Sequence, residues 1–160
     1  ALLEHKCRTG SVAGFPESEA VPRDDFLALP CEVLVPSALE LSIRSVEARR
    51  IQARLVVEGA NGPTTPAADQ VFEERGIVVV PDILANSGGV IVSYFEWVQD
   101  IQRLFWKAAE IDARLVDLIS EAYDAVTAVA DEKKVSLRTA AVMYAVQRVH
   151  DATRLRGIYP

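Results

Sequence analysis

Three short runs built mainly from aliphatic and β-branched residues constrain this chain more than any other feature: CEVLV at 31–35, RLVV at 54–57 and IVVV at 77–80. None shows the polar/apolar alternation of a half-solvated strand, so each suits a short strand buried on both faces. Between them lie segments of helical composition. The first is 41–51. The second opens on Thr64-Thr65, which offers a cap, then Pro66, suited to the first helical position, and Asp69, favoured by the positive helix start; Arg75-Gly76 supplies the stop. Strands joined by helical crossovers are what a parallel sheet covered by helices on both sides requires. The expected fold class is α/β: the second half of a Rossmann-like doubly wound parallel sheet, followed by carboxy-terminal helices.

The flanking segments fit that frame. Residues 1–8 have helical composition with Leu2 and Leu3 as apolar positions, and with no start signal before them the sequence reads as beginning inside a fold. A Gly- and Pro-rich loop at 10–22 and a helical turn around 24–28 lead to the first run. From Gly88 onward, Val90, Tyr94, Val98 and Ile101 recur at helical spacing. Ile111, Leu115, Leu118, Ala122, Val126 and Val129 mark a second helix. Ser136 can cap a third, whose stripe runs through Leu137, Ala140, Ala141, Tyr144 and Ala145 and which Gly157 ends. The division expected is a partial dinucleotide-binding domain over 1–106, including the start of the long helix, and a helical segment over 107–160 that packs on the cofactor and substrate domains.

Composition removes several classes of function. A formal charge of −6 with scattered basic residues provides no cationic stripe for phosphates, which argues against nucleic acid. No apolar run reaches the roughly 20 residues that span a bilayer, and no leader-like segment opens the chain. With Cys7 and Cys31 as the only cysteines and His5 and His150 as the only histidines, neither a disulfide framework nor a metal site is expected. A reducing, cytoplasmic or organellar-matrix setting follows.

In open parallel sheets the ligand crevice lies beyond the carboxyl ends of the strands. The residues there are small, polar and backbone-exposing: Pro36-Ser37-Ala38-Leu39-Glu40 after the first run, Glu58-Gly59-Ala60-Asn61-Gly62-Pro63 after the second, and a stretch from Pro81 through Asn86 to Gly89 after the third. Glycines there permit close approach of a flat ligand, and the amides of Asn61 and Asn86 donate and accept at once, as a carboxamide-bearing cofactor needs. Turn formation alone accounts for any one such loop, but less readily for all of them at corresponding positions. Asn86, Gly89 and Ser93 are spaced to share one face at a helix start, whose partial positive charge suits a carboxylate. A lone helical serine more commonly bonds back to its own backbone.

VEGANGPTTP at 57–66 and PDILANSGGVIVSYFEWVQ at 81–99 together resemble the glutamate dehydrogenases. The likeness extends through ALLEHK at 1–6, PSALE at 36–40, LRTAA at 137–141 and RLRG at 154–157, and so covers essentially the whole chain as a carboxy-terminal portion. Leucine, phenylalanine and valine dehydrogenases share the fold and an Asn-Ala-Gly-Gly loop, but lack the SYFEW continuation and its serine. The resemblance implies an NAD- or NADP-dependent enzyme, a homohexamer, interconverting glutamate with 2-oxoglutarate and ammonia. It places Ser37 and Ala38 at the adenosine or ribose side of the cofactor, Asn61 and Asn86 at the nicotinamide, and Val90 and Ser93 against the methylenes and side-chain carboxylate of the substrate. Ser87 departs from the family's usual alanine, and Lys107 stands near a usual capping threonine. The short connection from Trp106 to Ile111 leaves no room for the helical antenna of animal members, implying a simpler bacterial type.

The family's catalytic lysine and aspartate belong to an amino-terminal domain that nothing here resembles, and the Gly-rich pyrophosphate turn is also missing. No catalytic residue is therefore assigned, and the chain alone is expected to be inactive. Glu58, Asp82 and Glu96 could be offered as acid and base, but carboxylates at strand ends and on helices ordinarily cap or face solvent. Two alternatives remain open: a branched-chain or aromatic amino-acid dehydrogenase, and a non-catalytic nucleotide-binding scaffold.

Overall fold

The computed structural model describes residues 1–157, apart from the side chains of Arg23 and Asp24. Two short helices, α1 (Leu2–Thr9) and α2 (Arg23–Phe26), precede β1 (Val33–Leu34). Then α3 (Ser45–Arg50), β2 (Leu55–Val57), α4 (Pro66–Glu74) and β3 (Val78–Val80) alternate. The sheet is parallel in the order β1-β2-β3, with Val33 opposite Leu55 and Leu55 opposite Val78. The chain finishes in α5 (Asp82–Ala85), α6 (Gly88–Gln102), α7 (Ala108–Lys133) and α8 (Leu137–Arg156).

This register sorts the side chains onto two faces. Leu34, Val56 and Val79 form one row, and with Ile43, Ala48, Ile51, Ala68, Val71 and Phe72 they make the core beneath α3 and α4. On the other face Val80 joins Leu84, Val126, Ala140, Ala141 and Tyr144, so that α5, α7 and α8 cover the carboxyl end of β3. The same face carries Val33 and Val78, which are 48% and 51% exposed. The first and third runs are thus not the fully buried strands their composition predicts: β1 and β3 are the outer strands of the described sheet, and Val33 and Val78 on this face stay open.

The helix ends follow local chemistry. Thr65 caps α4 by accepting from the Ala68 amide at 3.3 Å, with Pro66 just inside, and Ser136 caps α8 through the Thr139 amide at 3.3 Å. α3 is shorter than the predicted 41–51. Leu41 has φ +51°, outside helical geometry, and Ile43 instead bridges in parallel to Thr64 in the next loop, Ile43 N donating to Pro63 O and Thr65 N to Ile43 O. Helix α3 begins where the Glu47 carboxylate accepts from the Arg44 amide at 3.0 Å. Hydrogen bonding from the Arg44 guanidinium holds that carboxyl below its ordinary range.

The third difference concerns α6. Its predicted stripe faces outward, with Val90, Tyr94 and Ile101 exposed, while Phe95 is buried and meets Trp106 edge-on at 5.7 Å. The Arg114 guanidinium lies 4.4 Å from the centroid of that indole, joining α7 to the turn after α6. Apolar residues occur all round α6, so periodicity alone did not select the face that meets α7.

Candidate functional site

The loops leaving the strands meet at the carboxyl end of the sheet. The Ala60 amide donates to Pro36 O and the Leu41 amide to Gly62 O, both at 2.8 Å, lacing the first loop to the second. Gly62 turns there with φ +51°, a conformation glycine adopts at low cost. Gly59 packs so closely on Ser37 that a Cβ would lie 2.5 Å from the serine Oγ. Between these loops and α6 opens a cleft of about 610 Å³, lined among others by Ala38, Gly59, Asn61, Asn86, Gly89 and Val90.

Ala38, Asn61, Asn86 and Val90, assigned from distant parts of the sequence, therefore share one cleft. The two asparagines are bonded directly: Asn86 Nδ2 donates to Asn61 Oδ1 at 2.7 Å, and also approaches Gly59 O at 3.4 Å. What remains of the pair is the Asn86 carbonyl and the Asn61 amino group, one acceptor and one donor, matching the two halves of a carboxamide. The serines stand differently. Ser37 Oγ donates to Val35 O at 3.3 Å, and Ser93 Oγ donates to Gly89 O at 3.0 Å, the self-satisfied arrangement usual for a helical serine.

Behind the cleft lies an ionic network. Glu58, the residue after β2, is completely buried. Its Oε2 accepts from the Asp82 amide at 2.9 Å and its Oε1 from Arg138 Nη2 at 2.7 Å. Arg138 also donates from Nε to Asp69 at 2.7 Å and from Nη1 to Asp82 Oδ1 at 3.2 Å, binding three carboxylates with one guanidinium. The second oxygen of Asp82 accepts from the Gly62 amide at 2.8 Å. Burial opposes the Arg138 charge, but hydrogen bonds to Glu58 and Asp69 outweigh it and raise its pKa, keeping it cationic. Burial also pushes the Asp69 carboxyl up, and the bond from Arg138 only partly offsets this.

Sequence reading left Arg138 without a role. It is the second residue of α8, in a first turn that holds no acidic residue, where a cation opposes the helix dipole. That misplacement is a signal that anionic partners lie elsewhere in the chain. Glu58 and Asp82, set aside as acid or base, are structural here.

The profile of the Glutamate/Leucine/Phenylalanine/Valine dehydrogenase family matches residues 1–157. The chain belongs to this family. It is 48% identical over 159 residues to a glutamate dehydrogenase of Thermotoga maritima, covering 99% of this chain and 38% of that protein. It is 42% identical over 159 residues to an NAD-specific glutamate dehydrogenase of Clostridioides difficile, with 99% and 38% covered. It is 48% identical over 162 residues to the NADP-specific glutamate dehydrogenase A1 of Halobacterium salinarum, with 100% and 39% covered. Among solved structures, hetero-hexameric glutamate dehydrogenase from Thermus thermophilus, in a leucine-bound form, superposes with a TM-score of 0.88 at 38% identity, over 99% of this chain and 37% of that one. The chain thus spans somewhat over a third of the length of such dehydrogenase relatives. Among its described residues no cluster of His, Cys, Asp and Glu suits a metal, and no helix is long and apolar enough to cross a membrane.

Proposed function

We propose that this chain is the part of an NAD- or NADP-dependent glutamate dehydrogenase that receives the nicotinamide end of the cofactor and the side chain of the substrate. The observation that carries this reading is the Asn61–Asn86 pair in a cleft at the strand ends, with Val90 on the same cleft. Asn61 donates to the carboxamide oxygen and Asn86 accepts from its nitrogen, which fixes the face the ring presents to the substrate. Ser37 and Ala38 lie toward the ribose and adenosine. Val90 packs on the methylenes of glutamate, and Ser93 exchanges its bond to Gly89 for the side-chain carboxylate. When bound, the dinucleotide supplies the hydride acceptor; these side chains orient and recognise. Residues 107–160 brace the cofactor and substrate domains, and the full-length protein is a homo-oligomer; its Thermus relative, a hetero-hexamer, supports six subunits but not their identity. The 160-residue chain alone is inactive.

The deciding experiment is steady-state turnover of the full-length protein with glutamate, leucine and phenylalanine, using NAD and then NADP, in wild type and Ser93→Ala. Loss of one charge-assisted hydrogen bond, worth about 1.5–3 kcal/mol, lowers kcat/KM for glutamate some 10- to 100-fold and leaves leucine little changed. Wild-type preference for leucine or phenylalanine would overturn the assignment. It would favour a branched-chain or aromatic dehydrogenase, in which Ser93 stays on Gly89 and Val90 dominates the pocket.

A further inference from the structure

The strand-end loops are held from behind by a side chain far away in sequence, and we infer that Arg138 is a positioning residue for the nicotinamide-side amide Asn61, acting through Asp82 and the Gly62 backbone. This rests on the proposed role of Asn61 and Asn86. Arg138 reaches Asp82 by two routes. Its Nη1 binds Asp82 Oδ1 at 3.2 Å, and its Nη2 binds Glu58, whose other oxygen holds the Asp82 amide at 2.9 Å. Both the side chain and the backbone of Asp82 are thereby fixed. Asp82 Oδ2 in turn accepts from the Gly62 amide at 2.8 Å, immediately after Asn61.

That bond matters because it holds the amide next to Asn61, whereas the loop's other bonds, Ala60 N to Pro36 O and Leu41 N to Gly62 O, tie its two sides to the first loop. Gly62 lies in left-handed geometry, and its amide faces a carboxylate that would otherwise be free to rotate. Asn61 and Asn86 must keep their 2.7 Å contact for the carbonyl of one and the amino group of the other to stand together. Rotation of Asp82 away from Gly62 would remove the anchor nearest Asn61 and let its amide shift against Asn86. Arg138 therefore acts on the cleft without touching it.

Asp82→Asn isolates this coupling. The amide keeps the shape of the carboxylate but has a single acceptor, whereas both neighbours, Arg138 Nη1 and Gly62 N, donate. The assay is fluorescence or calorimetric titration of the full-length protein with the reduced nicotinamide dinucleotide it uses and with the corresponding ADP-ribose, which lacks the nicotinamide. In wild type the dinucleotide binds tighter. Asp82→Asn should lose about tenfold in dinucleotide affinity while ADP-ribose affinity stays near wild type; the donor left facing an N–H lowers Tm in addition. Arg138→Lys, which cannot reach three carboxylates at once, should lose dinucleotide affinity relative to ADP-ribose in the same sense, together with a larger fall in Tm. An unchanged affinity ratio in Asp82→Asn, whatever happens to Tm, overturns the positioning role. Wild-type protein that binds dinucleotide no better than ADP-ribose would instead overturn the nicotinamide assignment of Asn61 and Asn86.

Discussion

Removing the Arg138 guanidinium should be among the most destabilising single changes in this chain, and the network gives its size. Breaking a buried ion pair by deleting one partner costs about 3–5 kcal/mol, because the remaining charge is stranded. In Arg138→Met the stranded group is Glu58, which has no exposed surface, and Asp69 and Asp82 lose their cation with it. The upper half of that range follows. Glu58→Gln is milder: one carbonyl must serve two donors, Arg138 Nη2 and the Asp82 amide, so one of them faces an N–H at a cost of about 1–3 kcal/mol. In the double variant the glutamine carbonyl is free for Asp82 and no buried charge remains at that position. The double should therefore be less destabilised than the sum of the singles by about 1–3 kcal/mol. The assay is urea unfolding of the full-length protein by circular dichroism at fixed subunit concentration. Asp69 adds a pH signature. A carboxyl whose pKa is higher folded than unfolded favours the native state less as pH rises through the interval between the two values. Burial already puts Asp69 in that class, and losing Arg138 removes the opposing pull, so Arg138→Met should trail wild type more at pH 8 than at pH 5. Additive singles, or a loss under about 1 kcal/mol in Arg138→Met, would refute the reasoning.

Phe72→Ala empties the centre of the core under α3 and α4, where the ring is wholly buried, and should lower stability by about 3–5 kcal/mol in the same urea assay. Thr65→Ala removes the α4 cap and should cost about 1 kcal/mol, visible as faster hydrogen exchange at the Ala68 amide. Gly59→Ala sets a methyl 2.5 Å from Ser37 Oγ, the end of a side chain that can rotate. Its cost should stay near 0.5–1 kcal/mol, and Ser37→Ala in the same protein should recover most of the lost Tm, since it removes the atom in conflict.

The parts of this structure legible in the sequence are those governed by neighbours along the chain. Thr65-Pro66 and Ser136 start helices because the groups they satisfy lie within one turn. The strands announce themselves by composition, and the loops by their glycines and asparagines. Burial was less legible, since it depends on what lies opposite: CEVLV has the composition of an interior strand, yet Val33 and Val35 face open space at the sheet edge. Helix α6 illustrates the same limit, with apolar residues enough for two faces and only Phe95 among them fully buried. The predicted 41–51 helix lost its first turn to a pairing with residues 62–65, a contact made across a loop.

Arg138 and Glu58 stand 80 residues apart, and this separation explains both why the network was missed and why it bears on the cleft. Locally, Glu58 and Asp82 are carboxylates beside glycines and helix starts, for which capping is a sufficient account. Only when α8 folds back over β3 do the carboxylates acquire a common cation, and the loop carrying Asn61 then gains a support beyond its backbone bonds to the first loop. On the proposed reading, stability and cofactor geometry share one guanidinium. A change at Arg138 or Glu58 alters both at once, so loss of activity in either cannot by itself distinguish unfolding from a displaced amide. Asp82 separates them, because one oxygen faces the network and the other faces the Gly62 amide. The proportion of lost cofactor affinity to lost Tm should therefore be larger in Asp82→Asn than in any variant of Arg138 or Glu58.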